Sequence, residues 1–153
     1  MRGTAARGTL RLAAVAGLVA ACLAAGWPAT AAGGWAVVVN NESDLRRIAR
    51  DDLARIYLGK KTLWEEKGTR IAPALLEEGD ALTAEFLDSV VKKSVSQYRA
   101  YWKRLLFSGG GAAPKAFRQS TQVIEFVARQ PGGIGIVDAS AVDARVRVVE
   151  TLD

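Results

Sequence analysis

Continuous apolar runs alternate along this chain with segments in which apolar residues recur at helical spacing. Residues 35–39 are continuously apolar and mostly β-branched, which predicts a strand buried on both faces of a partly parallel sheet. Residues 51–58 carry acids in the first turn and apolar residues at helical spacing, so they predict a helix that Gly59 ends. A start for this helix as early as Ser43 also fits the pattern.

The middle of the chain predicts one more strand and three more helices. An apolar run over residues 70–76 indicates a strand, in which Pro73 implies an edge position or a kink. The helices are expected over residues 79–91, with Leu82, Phe86, Leu87 and Val90 on one face; around Tyr98, Tyr101, Trp102 and Leu105, with Ser96 as the cap; and over residues 121–129, capped by Ser120.

Two strands close the pattern, at residues 134–137 and, as an alternating edge strand, at 146–149. The predicted order is strand, helix, strand, three helices, strand, strand. This order predicts one α/β domain with a mixed sheet flanked by helices. Residues 32–153 form that domain, and residues 1–31 precede it as a segment of different character.

Residues 1–31 have the three parts of a secretory signal peptide. Three arginines precede a 15-residue apolar run over 12–26, and an Ala-x-Ala sequence follows, which predicts cleavage after Ala31. The alternatives are lipidation at Cys22, as in a bacterial lipoprotein, and an uncleaved anchor. Each alternative places the folded part outside the cytoplasm, either periplasmic or secreted, or held at the membrane by the signal or lipid alone.

The composition excludes several kinds of catalytic and metal-binding site. The 153-residue chain has no histidine and only one cysteine, which excludes histidine-based catalysis, histidine-ligated metals and intrachain disulfides. Removing residues 1–31 takes away three arginines and no acids, so the formal charge falls from +5 to +2 over 122 residues. So small a charge gives little support to nucleic-acid binding. We therefore expect a protein that is not an enzyme and needs no cofactor.

The segment that joins the second strand to the next helix is the first candidate site. In open α/β sheets, ligands bind where strands end and helix N–H groups point outward. The candidate ligand-binding residues are Gly79, Asp80, Ala81 and Thr83, together with Asn40 at the end of the first strand. Because Glu77, Glu78 and Asp80 crowd this place, a neutral or cationic ligand is favoured over an anion, and Asp80 could simply cap the helix.

Two other features have ordinary explanations. The glycines at 109–111 follow a helix and lack a Gly-Lys-Ser/Thr sequence, so they indicate a flexible connector rather than a nucleotide loop. Basic residues accompany aromatic ones from Lys92 to Arg104. The aromatic residues fit a core-facing stripe, so the basic residues indicate a solvated face, with an anionic membrane surface or an acidic partner as the alternative.

Three segments resemble the periplasmic binding proteins of phosphate ABC importers. They are Asp52–Lys61 with Trp64, which resembles a Leu-x-x-Ile-Phe-Leu-Gly-Lys…Trp sequence; Tyr101-Trp102 with Phe107-Ser108-Gly109, which resembles Trp…Phe-x-Gly; and Val127–Val137, which resembles a Pro-Gly-x-Ile-Gly-Tyr-Val strand entry. They occur in family order. The resemblance implies one lobe of a type II periplasmic-binding-protein fold and solute capture as the activity.

The chain departs from the family at the anion contact. The family's phosphate-binding helix start resembles Arg-x-Asp-x-Ser-Gly-Thr, whereas residues 76–82 keep Gly79 but lack the arginine and the hydroxyl pair, and Ile136 replaces a tyrosine. The family binds its anion between two lobes, of which the match covers one. Two hypotheses follow: a solute-binding or accessory module in the envelope, and an interaction domain that pairs with itself or with an envelope protein.

Overall fold

A computed structural model describes residues 34–152 of the chain. The predicted signal peptide, residues 1–31, and the lipidation candidate Cys22 lie outside the described residues. The elements in chain order are β1 (Trp35–Asn40), β2 (Arg47–Ala49), α1 (Arg50–Tyr57), β3 (Ala72–Leu76), α2 (Ala81–Phe86) continued by a π-helical turn (Leu87–Val91), α3 (Val95–Phe107), β4 (Lys115–Phe117), α4 (Ser120–Arg129), β5 (Gly133–Asp138) continued by a 3-10 turn (Ala139–Ala141), and β6 (Val146–Leu152).

The strands form one mixed sheet in the order β2-β6-β1-β5-β3-β4. β1 runs antiparallel to both of its neighbours, with Val37 opposite Ile136 on one side and opposite Val149 on the other. β3 runs parallel to β4 and β5, and β2 runs parallel to β6. The predicted α/β class with a mixed sheet and flanking helices is therefore confirmed.

Side chains of the central strands alternate between two cores. Val37 and Val39 of β1 face the layer of α1, the π-helical turn and α3, while Ala36 and Val38 face α4. In β5, Ile134 and Ile136 share the first core. Because the central strands are apolar on both faces, the sheet requires helices on both sides.

Tyr57, the last residue of α1, joins three elements through hydrogen bonds. Its hydroxyl donates to the carbonyl of Ala74 in β3 at 2.7 Å. Its own carbonyl accepts from the Tyr98 hydroxyl at 2.9 Å and from the Trp102 indole N–H at 3.2 Å. The Tyr101 hydroxyl donates to the next carbonyl, that of Leu58, at 2.7 Å. The aromatic stripe of α3 therefore satisfies carbonyls at the end of α1 that would otherwise lack partners.

Two short strands were not predicted from the sequence. Residues 47–49 form β2, not an early start of α1, and only Ile48 of the three is buried. Residues 115–117 form β4, and none of its side chains is fully buried. Strands this short and exposed carry almost no periodic signal, because pairing with β6 or β3 determines their conformation.

Some predicted positions were wrong in detail. Ser94, not Ser96, caps α3, through a capping box with Gln97. Leu82 packs against the α4 core, whereas Phe86, Leu87 and Val90 lie in the other one. The face assigned to residues 79–91 thus splits, because α2 begins beside the end of β3, whereas Phe86 at its last position packs against Tyr57 of α1 and the π-helical turn continues along α1.

Other details concern strand edges and the cap of α4. β6 was expected to be an edge strand, but it lies between β2 and β1 in the sheet. Its residues 146–149 pair only with β1, whereas residues 150–152 pair with β2. β3 is likewise interior, but β4 begins to pair with it at Ala74, just after Pro73, so the missing proline N–H breaks no ladder bond there. Gln119, not Ser120, caps α4.

Replacement of Gly59 by alanine tests the contact between α1 and α3. Gly59 has a φ of +69°, and a Cβ atom there would lie 2.8 Å from the Trp102 ring. Gly68 has a φ of +60° with nothing within 4 Å, so Gly68→Ala is the matched control. We expect Gly68→Ala to lower the free energy of unfolding by about 1 kcal/mol. Gly59→Ala should lose about 1–3 kcal/mol more, because of the steric overlap. Equal losses in urea denaturation would contradict this packing.

The buried tyrosines predict a fall in stability at alkaline pH. Burial raises the pKa of Tyr57 well above its usual value of 10, and burial also raises the pKa of Tyr98. Below pH 10 both states keep these protons. Above it the unfolded state loses them first, so the free energy of unfolding should fall as pH rises from 10. Phenolate absorbance from these two residues should appear only with unfolding. Two buried phenols that titrate near pH 10 in a folded chain would refute the assignment.

Candidate functional site

The carboxyl ends of the three parallel strands meet at one edge of the sheet. β3 ends at Leu76, β4 at Phe117 and β5 at Asp138, and each is followed by the start of a helix or helical turn. We call residues 77–83, 118–120 and 138–140 the carboxyl edge. This is the place in an α/β sheet where ligands most often bind. It contains the sequence-predicted residues Gly79, Asp80, Ala81 and Thr83.

The fold itself uses the side chains of Asp80 and Thr83. Asp80 Oδ1 accepts from the Leu82 N–H at 2.8 Å and caps α2, as one of the two sequence-based interpretations predicted. The Thr83 hydroxyl is buried and donates to the Leu76 carbonyl at 2.9 Å. Gly79 and Ala81 are exposed, and a Cβ atom at Gly79 would meet nothing within 4 Å. The part of this segment that faces solvent is therefore mostly backbone.

The neighbouring strand ends are held in the same way. The Ser120 hydroxyl accepts from the Asp138 N–H at 3.0 Å, which joins the start of α4 to the end of β5. Asp138 Oδ1 accepts from the Ser140 N–H at 2.8 Å and from its hydroxyl at 2.6 Å. These hydrogen bonds lower the pKa of Asp138, so its carboxylate stays charged. Sequence patterns do not place Asp138 at the site, because the order of strands in a sheet is not visible along the chain.

Acidic side chains outnumber basic ones along the carboxyl edge. Glu78 forms an ion pair with Arg99 of α3, and its hydrogen bond raises the pKa of the Arg99 guanidinium. Glu77 lies 3.5 Å from Arg118, an exposed pair that contributes little stability. Two arginines thus face four carboxylates, those of Glu77, Glu78 and the capping residues Asp80 and Asp138. A surface with this balance repels an anion.

Asn40 does not lie at the carboxyl edge. β1 runs antiparallel to β5 with Ala36 opposite Val137 and Val39 opposite Ile134, so Asn40 is at the other end of the sheet. Four residues of strand separate it from the level of Ala36, roughly 13 Å. Its side-chain N–H groups donate to the carbonyls of Val127 and Ala128, both at 3.0 Å. The structure therefore does not bring Asn40 together with the other four predicted residues, and Asn40 holds the end of α4.

Two clefts lie mostly away from the carboxyl edge, which contributes only Ala139 to the lining of the larger one. The smaller, about 380 Å³, contains Trp64 and Lys61, whose ammonium group bonds Glu65 at 2.9 Å and Asp52 at 3.1 Å. These bonds raise the pKa of Lys61. The larger, about 1170 Å³ and open, runs beside β6 between Arg46 and Val148. Each is assembled from distant segments, so no local sequence pattern could have revealed it.

The described residues were also compared with what a metal site and a membrane-spanning helix require. Over residues 34–152, no three or more acidic or cysteine side chains are grouped so that they could hold a metal ion. Within the same range, no helix has the length and apolar character needed to cross a membrane.

The fold is similar to solved structures of phosphate-binding proteins. A phosphate ABC transporter substrate-binding protein from Clostridium perfringens, solved with bound phosphate, matches with a TM-score of 0.63 at 20% identity, over 78% of this chain and 45% of that one. PstS from Borrelia burgdorferi matches with a TM-score of 0.61 at 12% identity, over 78% and 47%. An ABC-type phosphate transport receptor from Vibrio cholerae matches with a TM-score of 0.53 at 18% identity, over 78% and 46%.

These comparisons show the fold. The chain has the architecture of one lobe of a periplasmic-binding-protein-like structure, as the sequence resemblance implied. It spans less than half the length of the three solved structures. No protein-family model and no curated protein matches its sequence. The structures it resembles are named for binding and transport rather than for catalysis.

Replacement of Asn40 tests its structural placement. Asn40→Ala removes a buried and a partly buried hydrogen bond to the end of α4, together with the acceptor of the Glu42 N–H, and should lower the free energy of unfolding by about 2–3 kcal/mol. The control is Asn41→Ala, which removes one exposed bond to the Ala144 carbonyl and should cost less than about 1 kcal/mol. Chemical denaturation measures both. Similar losses for the two variants would contradict the placement of Asn40.

Proposed function

We propose that this chain is an exported, non-enzymatic binding or accessory module of the cell envelope that does not capture phosphate at its carboxyl edge. The similarity in fold to phosphate-binding proteins supports a role in binding. The charge of the carboxyl edge supports the absence of phosphate binding there, because four carboxylates face two arginines and both arginines are paired. This charge balance is the observation that carries the proposal.

The backbone of Gly79 and Ala81 is the part of the edge that we assign to ligand contact. Both residues are exposed at the start of α2, while Asp80 and Thr83 hold the turn in place. The surrounding carboxylates favour a neutral or cationic solute over phosphate or sulfate. We assign Asn40 a structural role, because its amide is used within the fold.

A solute at this edge needs a second surface to enclose it. Residues 77–83, which include Gly79 and Ala81, line neither of the two clefts, so a small molecule bound there would remain largely exposed to water. Small-molecule sites usually bury most of their ligand. A second copy of this chain, another part of a longer protein, or an envelope protein could supply that surface.

Export belongs to the same proposal and is supported by the sequence of residues 1–31. The basic start, the apolar run and the Ala-x-Ala ending fit a signal peptide, with lipidation at Cys22 as the alternative. Either outcome would place the domain outside the cytoplasm.

An interaction domain that binds no small molecule is the alternative function. Val148 and Leu152 are both exposed at i,i+4 positions of β6, so they lie on one face of that strand and favour contact with another surface. Light scattering tests self-pairing. A homodimer whose dissociation follows dilution would favour this alternative, whereas a monomer at all concentrations would exclude self-pairing.

A thermal-shift screen tests the solute proposal. Millimolar phosphate should leave the Tm unchanged relative to sodium chloride of equal ionic strength, since only a ligand that binds the native state raises it. A rise of several degrees with phosphate would contradict the proposal. The screen also includes sulfate, amino acids, sugars and divalent cations.

A variant tests whether a ligand that raises the Tm binds at the carboxyl edge. Gly79→Leu adds a side chain at an open position, so it should block contact at the carboxyl edge without changing the fold. Ala112→Leu, in the exposed loop after α3, is the control. A shift that survives Gly79→Leu would place the ligand elsewhere, for example in the cleft beside Trp64.

A further inference from the structure

One stretch of the chain contains basic residues but no acidic ones. No acidic residue occurs between Asp88 and Glu125, and the basic residues in this interval are Lys92, Lys93, Arg99, Lys103, Arg104, Lys115 and Arg118. The rest of the described chain mixes the two signs, so the positive charge of the domain is concentrated on α3 and its flanks. A segregated positive surface attracts anionic partners.

The end of α3 combines this charge with exposed apolar side chains. Phe107, its last residue, is 83% exposed and Leu106 is 49% exposed. Lys103 and Arg104 are exposed one turn earlier, so Lys103 lies beside Leu106 and Arg104 beside Phe107 at i,i+3 spacing. We call Lys103, Arg104, Leu106 and Phe107 the α3 tip.

The α3 tip is separate from the carboxyl edge and from the core. Arg99 near the start of the helix is paired with Glu78 at that edge, whereas Phe107 lies eight residues, roughly 12 Å, further along. Tyr98 and Trp102, on the side of α3 opposite Phe107, are buried against α1. The exposed phenylalanine is therefore not needed to hold the helix in place.

We propose that the α3 tip binds the surface of an anionic phospholipid membrane, with Phe107 and Leu106 in the interfacial region and Lys103 and Arg104 on the headgroups. Electrostatic attraction to anionic lipids and burial of a small apolar area are the two terms that hold peripheral proteins on membranes. The geometry supplies both within one turn of helix.

The size of the apolar part favours lipid over a protein partner. A specific protein interface buries about 800 Å² on each side. At their exposed fractions, Phe107 and Leu106 together offer about a third of that. Nucleic acid is disfavoured because Tyr98 and Trp102 are buried and cannot stack on bases. Insertion of one or two apolar side chains beside basic ones suits weak and reversible attachment.

Vesicle co-sedimentation with the full chain tests the proposal. The chain should bind phosphatidylcholine vesicles that contain phosphatidylglycerol more tightly than vesicles of phosphatidylcholine alone, and added salt should reduce the difference. Lys103→Gln/Arg104→Gln should weaken binding to the anionic vesicles by roughly 25-fold, from roughly fivefold for each basic residue near the surface. Arg46→Gln/Arg70→Gln, an equal charge change at exposed positions elsewhere, should have a much smaller effect.

Apolar variants test the insertion of the tip. Phe107→Ser should weaken binding to anionic vesicles by about tenfold, whereas Leu63→Ser, at a 53% exposed position between α1 and β3, should leave it nearly unchanged. All variants change exposed side chains, so their Tm values should match that of the parent chain. Residues 1–33 are identical in every variant, so their own contribution cancels in the comparison.

A tryptophan placed at the tip gives a positional readout. In Phe107→Trp, emission should shift to the blue with anionic vesicles and be quenched by brominated lipid; Leu63→Trp should show neither change. Equal binding to neutral and anionic vesicles would overturn the proposal. Charge-dependent binding that Phe107→Ser does not weaken would overturn it as well, and would direct attention to an acidic protein partner.

Discussion

The central strands β1 and β5 have to be covered on both faces, and the rest of the fold depends on this constraint. Their side chains alternate between two apolar cores, so a helix layer on one side alone would leave valines and isoleucines in water. α4 meets one face closely because Gly135 has no side chain where Val123 and Val127 approach. On the other face, Tyr57 ties α1 to β3 and to α3, so that the same aromatic residues fill the core and satisfy the end of a helix.

The carboxyl edge likewise uses its side chains to hold the fold together, and this limits what it can bind. Its hydroxyl and carboxylate groups close the strand ends onto the helix starts, through Asp80, Thr83, Ser120 and Asp138. A site with its side chains used in this way offers backbone and net negative charge, which does not suit phosphate. The fold similarity to phosphate-binding proteins is compatible with this charge balance, because one fold can carry different sites.

The sequence predicted those elements whose burial leaves a periodic pattern. β1, α1 and α4 were placed to within one or two residues because each has a long apolar run or stripe. β2 and β4 were missed because three exposed residues carry no such pattern. Asn40 and Gly79 were expected to lie together because both follow strands, but one strand is antiparallel to the other, and direction within a sheet is set by pairing between distant segments. The capping role of Asp80, by contrast, was visible in its position before a helix.

Native-state hydrogen exchange of the chain by itself tests the central claim most directly. If the helices of this chain cover both faces of β1 and β5, the amides of residues 37–39 and 134–137 should exchange only through global unfolding. Their exchange free energy should then equal the free energy of unfolding measured with denaturant. Exchange of either strand through local opening, at a clearly lower free energy, would contradict the account and would show that the sheet depends on a partner to complete its core.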